Sequence, residues 1–587
     1  MGRGRQAATP LQLAQLPRCA LSLLTRAGLR ARAKSSRFFT PAHCLLGGSL
    51  THGFASRLDA PFQSRIDRVI LARTLTREEL AVDRRTLLKT LSASAIGAAA
   101  VGPSVFSPRR AMAFGQAPIG HDSILLPPER RAENVLEIFL YGGISQYESF
   151  YCVPEHGKAK GTHYHLYLNS GDVQKAVDSC GLVGLDLTER FGQDALGQDV
   201  HLGPYVVPLR KRPDMVERMR VAITHHDLEP HEAAIPLMLG GRGLGNPALC
   251  GLGAHIQRYY TELNSLPARG PKAWVLLHSS LGAFPTDNLR TASAIGLHPG
   301  SARPLALKID SSGELTSLLA RATLGQHRSA HDALLAANIA RYHERLVRPN
   351  TLTAVRAPRL TELTDAASAV RDSEQVAAML EESLFVKQGI SHCGQTVKVD
   401  PITMNLTMAA HLLTHPTSPA RYVCVIDGGL IPADGGGGYD THDENPHTQA
   451  RNLSHTLNGL CAIINGPDEH DPHKLDLDKT LIVLTTEFGR TPFQQGKKGR
   501  NHWPYGFPVV FIGGPIRPEN KGIFGACGPD ARAVTGSTPQ ENRIAALLAL
   551  GIWPFANESF NVADVPDALS EPDAVLLVLK RQLGYTA

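Results

Sequence analysis

Between residues 133 and 552 the chain alternates short, continuously apolar runs with longer amphipathic ones. ENVLEIFLYGG (133–143) is apolar at nearly every position and stops at a glycine pair, the pattern of a strand buried on both faces. MVERMRVAITHHD (215–227) predicts a helix end, then a short strand, then a histidine-rich loop. AWVLLHS (273–279), RYVCVIDGG (421–429), LDKTLIVLTTEFGR (477–490) and FPVVFIGG (507–514) predict four more strands. Helical spacing of apolar residues marks ITMNLTMAAHLLTH (402–415), QARNLSHTLNGLCAIING (449–466) and ENRIAALLALGI (541–552). It also runs through about 312–390, in ELTSLLARATL, AHDALLAANIARYHERLV and SEQVAAMLEESLFV. Helices alternating with fully apolar strands predict an α/β fold, a largely parallel central sheet covered by helices on both faces. The expected layout is one domain over 114–587 with a helical insertion at about 312–400.

In such sheets, ligands sit beyond the carboxyl ends of the strands, and polar clusters follow several of the strands here. Ser145, Gln146 and Glu148 follow the first; His225, His226, Asp227 and His231 follow RVAIT; Asp440, His442 and Asp443 follow RYVCVID. Glu487 and Arg490 follow LIVLTT, and Asn501 and His502 stand just before FPVVFIGG. Each cluster alone reads equally as a solvated turn or an ordinary ion pair. Together, on one edge, mixed Asp, Glu and His donors suit a divalent metal such as zinc, manganese or iron. The run Gly435–Gly438 predicts a mobile loop that lets Asp440 and His442 swing onto a cation.

Charge is uneven along the chain. The net +6 conceals a leader, residues 1–113, with 18 Lys and Arg against 5 Asp and Glu, so that the remainder is net negative. That balance gives the folded part no reason to bind nucleic acid. Within the leader, Arg84 and Arg85 precede an Ala- and Gly-rich apolar run (91–106) and the small-residue motif AMA (111–113). This is the pattern of a twin-arginine export signal, with the twin-arginine translocase as partner. The apolar run is too short and weakly hydrophobic for a membrane span, so no transmembrane span is expected in the mature chain. Residues 1–68 read as a start assigned too early. The expected location is periplasmic or extracellular, with membrane anchoring if the leader stays uncleaved. Beyond the leader, Cys152, Cys180, Cys250, Cys393, Cys424, Cys461 and Cys527 are scattered. Their spacing supports neither a zinc ribbon nor a disulfide scaffold, and most read as small core residues.

YDTHDEN, LDKTLIVLTTEFGRTP and GRNHWPYGFPVVFIGG, in this order and spacing, strongly resemble the bacterial DUF1501 family. FLYGGISQYESF and LEPHEAAIPLMLGGR resemble its N-terminal segments more loosely, and a twin-arginine leader is typical of it. The resemblance spans about residues 130–555. It implies an alkaline phosphatase-like fold, whose sulfatases, phosphatases and phosphomutases bind metal ions at strand ends. By that analogy Asp440, His442, Glu487 and His502 are the metal-ligand candidates, with Glu148 and His231 beside them. Ser145 is the candidate nucleophile, and Arg490 and Arg500 the candidates to hold an anionic ester. Two departures stand out. The first strand ends in YGG where the superfamily has a metal-binding Asp, and Asn501 stands where the family commonly has Asp. The expected function is an exported metal-dependent hydrolase of phosphate or sulfate esters. The alternative is a non-catalytic binding or scaffold protein on the same fold. An oxidoreductase subunit is a third option, suggested by the export route alone.

Overall fold

Strand and helix lengths here follow from how each segment satisfies its ends. The computed structural model describes residues 114–586, apart from 159–163, 244–250, 263–273, 279–304, most of 309–388 and the short gaps 418, 432–436 and 557–558. The leader and nearly all of the expected helical insertion therefore lie outside the described residues.

Eight strands form one sheet: β1 (Asn134–Leu140), β2 (Met219–Thr224), β3 (Trp274–His278), β4 (Leu305–Lys308), β5 (Tyr422–Asp427), β6 (Thr480–Thr485), β7 (Phe507–Gly513) and β8 (Gly522–Phe524). Their order across the sheet is β8-β2-β7-β6-β1-β5-β3-β4. β1 pairs in parallel with β6 and β5, β3 with β5 and β4, and β8 with β2. β7 is antiparallel to both of its neighbours, β6 and β2. The sheet is thus mixed by one reversed strand. That reversal brings the start of β7 to the edge where the neighbouring strands finish.

Alternate residues of the strands feed two separate cores. Leu136, Ile138, Val423, Val425, Ile482 and Leu484 pack against α1 (Asp172–Ser179), α4 (Pro401–Thr414) and α5 (Asn445–Ala462). Val135, Phe139, Cys424, Ile426, Leu481 and Val483 pack against α2 (His231–Gly240), α3 (Leu252–Glu262), α6 (Pro539–Ala549) and α7 (Glu571–Leu583). The helices start where their caps dictate. Asp400 caps α4, Thr538 and Glu541 form a capping box on α6, and Ser570 caps α7, each followed directly or closely by proline. One charge lies inside the second core: Glu137 of β1 is bound at both oxygens by Arg543 of α6, at 2.7 and 2.6 Å, and also takes the Tyr422 hydroxyl. Among the described residues no helix is long and apolar enough to cross a membrane.

Candidate functional site: a histidine and carboxylate cluster at the sheet edge

The cluster is assembled by five segments. β1 ends at Leu140 and presents the backbone of Gly142 and Gly143. β6 ends at Thr485 and is followed by Glu487. A two-residue ribbon pairs Arg490 with His502 and Gly489 with Trp503, which holds His502 beside the end of β6. Pro230, extended at φ −69°, launches α2 so that His231 is its first residue. The fifth segment, Tyr439–His442, enters between them just before α5.

Asp440 is at the centre and almost fully buried. Its Oδ1 meets Arg490 Nη2 at 2.5 Å, His442 Nε2 at 3.0 Å and His502 Nε2 at 3.2 Å. Its Oδ2 lies 3.4 Å from His231 Nε2. His442 and His502 face each other, Nε2 to Nε2, at 3.2 Å. Glu487, fully buried, does not join this ring of atoms. Its Oε1 binds His231 Nδ1 at 2.8 Å and takes the Gly142 amide at 2.8 Å, while Oε2 takes the Thr486 hydroxyl at 3.1 Å. Glu487 therefore orients His231 from behind. Its imidazole keeps Nε2 buried and turned into the cluster, toward Asp440 Oδ2. His231, Asp440 and His502 each offer one donor atom within 4.8 Å of the others.

The electrostatics follow from this packing. Burial raises the carboxyl pKa of Asp440, but hydrogen bonds from His231, His442 and His502 and the Arg490 charge outweigh it and hold the group well below the usual carboxylate range. Burial lowers the pKa of His231; contacts with Asp440 and Glu487 overcome it and push the ring up to about 9. His442 is raised, chiefly by its hydrogen bond to Asp440. His502 is lowered, chiefly by burial. The outer two histidines are held from the rim: His442 Nδ1 by Gln495 Oε1 at 3.0 Å, and His502 Nδ1 by the Glu229 carbonyl at 3.0 Å.

The other sequence candidates fall elsewhere. Glu148 has no place in the cluster, because Arg500 Nη2 binds its Oε1 at 2.9 Å and the Ser145 hydroxyl donates to its Oε2. Ser145 is fully buried in that pairing and points away from a nucleophile's role. Arg500 lies between the rings of Tyr147 and Tyr167, 4.5 and 4.6 Å from their centroids, and donates to the carbonyls of Thr491 and His165. Arg490 donates to the carbonyls of Gly142, Gly143 and Arg500 as well as to Asp440. Both guanidinium groups are fully buried, so they act on the protein's own backbone, not on an incoming anion. The glycine run also differs from expectation. A Cβ on Gly437 would lie 2.5 Å from the Tyr141 carbonyl, and one on Gly438 2.4 Å from that of Gly428. These two glycines serve close packing, and Asp440 is pinned rather than swinging. Asn501 uses its Oδ1 to accept from the His502 amide at 2.9 Å.

Sequence reasoning missed two glutamines. Gln449, at the start of α5, donates to the carbonyls of Gly143 and Tyr439 and accepts from the Ser145 amide. Gln495 braces His442. Neither carries a signal in a single sequence, since an amide in a helix or a polar loop is unremarkable.

The model of a family described as a protein of unknown function, DUF1501, matches residues 132–538. The chain belongs to the DUF1501 family. The matched DUF1501 region contains every residue of the cluster, from Gly142 to His502, and ends just before α6. No curated protein matches the sequence.

Proposed function

We propose that this DUF1501 protein is an exported, metal-dependent hydrolase of phosphate or sulfate esters, built on an alkaline phosphatase-like version of the mixed sheet. The observation that carries the proposal is His231: Nδ1 fixed on a buried carboxylate, Nε2 turned toward Asp440 and His502 with one donor atom of each of the three within 4.8 Å of the others. A carboxylate behind a histidine is the usual support of a metal ligand, because it sets the tautomer and raises the basicity of the ring. His231, Asp440 and His502 would hold the ion, with His442, 3.0 Å from Asp440, as the next donor. A donor set of imidazoles and one carboxylate suits zinc, manganese or iron. When bound, such a cation supplies Lewis acidity toward a water molecule and an ester oxygen.

The chain's own contribution is positional. Glu487 holds His231; Arg490 fixes Asp440 and ties it to the backbone after β1; Gln495 and the Glu229 carbonyl aim His442 and His502. The side chains of His442 and His502 are 26% and 17% exposed against 2% for Asp440, so a substrate approaches from the histidine side. Water, rather than Ser145, is the attacking group in this scheme, since the serine is buried against Glu148. The paired arginines at 84–85 support export by the twin-arginine route. A second reading, a binding protein without turnover, draws on Arg490 and Arg500, whose fully buried guanidinium groups are held by the protein's own carbonyls and carboxylates rather than presented to an anion.

The test is metal content and turnover on the full chain. Elemental analysis should find bound metal that is lost in His231→Ala and Asp440→Ala. Aryl phosphates and sulfates should be cleaved in a chelator-sensitive manner. Absence of metal removes the first reading, and bound metal without turnover across that panel selects the second.

A further inference from the structure

A cysteine at the tip of a two-residue turn is an unusual choice of residue. The hairpin of Ile390–His392 and Gln395–Val397 is closed by Cys393 and Gly394, at φ 50° and 72°. A turn with both central residues in the left-handed region favours Asn, Asp or Gly, and another residue persists there only where its surroundings impose it. Sulfur chemistry imposes it here. Cys393 forms a disulfide with Cys180, the residue after α1, across 213 positions of sequence. The scattered cysteine spacing gave no hint of this bridge, whereas Cys152, Cys424 and Cys527 are the buried core residues expected.

His392 stands beside the bridge. One of its ring nitrogens and both sulfurs all lie within 4.8 Å of one another. Its Nε2 also meets Ser454 Oγ of α5 at 3.0 Å, which fixes the ring. With the S–S bond open, two sulfurs and one held imidazole would supply three of the four ligands of a site of the zinc class, leaving a place for water.

We infer that Cys180, His392 and Cys393 form a redox-gated site for a thiophilic divalent cation, zinc being the model. A dithiol reductant supplies the two electrons. The Cys180–Cys393 S–S bond breaks, the reductant's two thiols become its own disulfide, and their two protons pass to the protein sulfurs. Cation binding then expels those two protons as both sulfurs ligate as thiolates. Disulfide and cation are mutually exclusive occupants of one site. The inference is independent of the His231, Asp440 and His502 cluster, which contains no sulfur.

Cobalt(II) tests it on the full chain, because cobalt bound to thiolate has an intense near-ultraviolet charge-transfer absorption that nitrogen and oxygen ligands do not give. Protein reduced by a phosphine, which does not chelate the metal, should show that absorption and bind one more cobalt per chain than oxidised protein. His392→Ala, which keeps the disulfide and whose fold can be checked in the oxidised form, should bind this cobalt at least about tenfold more weakly. Cys180→Ser should abolish the absorption. Cys461→Ser, removing a half-buried thiol elsewhere on α5, should leave it unchanged. No thiolate absorption after reduction, undiminished affinity in His392→Ala, absorption retained in Cys180→Ser or absorption lost in Cys461→Ser would each overturn the assignment.

Discussion

Replacing Glu487 by Gln removes one buried negative charge and keeps the side chain's volume. The amide oxygen can still accept from the Gly142 amide and from His231 Nδ1, which now share Oε1 at 2.8 Å each. The fold should therefore stand. What disappears is the anion that fixes His231 with Nε2 turned into the cluster and strengthens it as a base. Supporting carboxylates of this kind are worth about 10- to 100-fold in metal affinity. At about 1.4 kcal/mol per decade, that is about 1.4–2.8 kcal/mol. The upper end is expected, because Glu487 is fully buried and the His231 side chain only 14% exposed, so water screens the pair weakly. A competition titration of zinc or manganese against a chromogenic chelator reads the change directly. The dissociation constant should rise by one to two decades with the stoichiometry unchanged. A loss beyond about a thousandfold would make Glu487 a ligand in its own right, and an unchanged constant would detach it from the centre. Either result refutes the arrangement described for this residue.

Three further outcomes follow from the same contacts. In metal-free protein, His231 is raised to about 9, so its stabilising contribution is complete below its unfolded pKa of about 6.5 and is lost as pH climbs toward 9. The unfolding free energy should fall over that window, by up to about 3 kcal/mol, and saturating metal should remove the fall; a flat profile without metal counts against the His231 geometry. Gly499→Ala places a Cβ 1.5 Å from the His442 carbonyl, so it should displace the Asp440–His442 segment, costing about 1–3 kcal/mol in denaturant unfolding and weakening metal binding at the same time. Arg543→Ala strands Glu137 in the second core and should cost about 3–5 kcal/mol by the same assay. Metal affinity measured under native conditions should not change in that variant, because the pair has no contact with the cluster.

Much of the architecture was written in periodicity. The strands at 134–140, 422–427, 480–485 and 507–513 fall inside the apolar runs that announce them, because a strand buried on both faces needs apolar residues at every position. Direction was not written. FPVVFIGG is equally apolar whichever way it runs, and β7 proved to be the one reversed strand. In the site, motif residues Asp440, His442 and His502 do meet, and so does His231 from a looser match. The division of labour was illegible. A glutamate after a strand looks the same whether it faces a ligand position or, like Glu487, a histidine ring. An arginine's charge likewise says nothing of whether backbone carbonyls inside the protein already engage it, as they do Arg490 and Arg500. The Cys180–Cys393 bridge was beyond reach for a simpler reason: nothing local in the sequence links residues 213 positions apart.

The reversed strand has a consequence for how the site could be altered. Had β7 run with its neighbours, the chain leaving β6 would have had to travel the length of the sheet, roughly 23 Å for a seven-residue strand, before entering it. Instead residues 486–506 leave and re-enter at one rim, carrying Glu487, Arg490, Gln495, Arg500 and His502 as a single uninterrupted stretch. That stretch is a natural cassette: exchanged between homologues as one piece, it replaces His502 and the groups that brace the other ligand candidates, while His231, Asp440 and His442 stay in place.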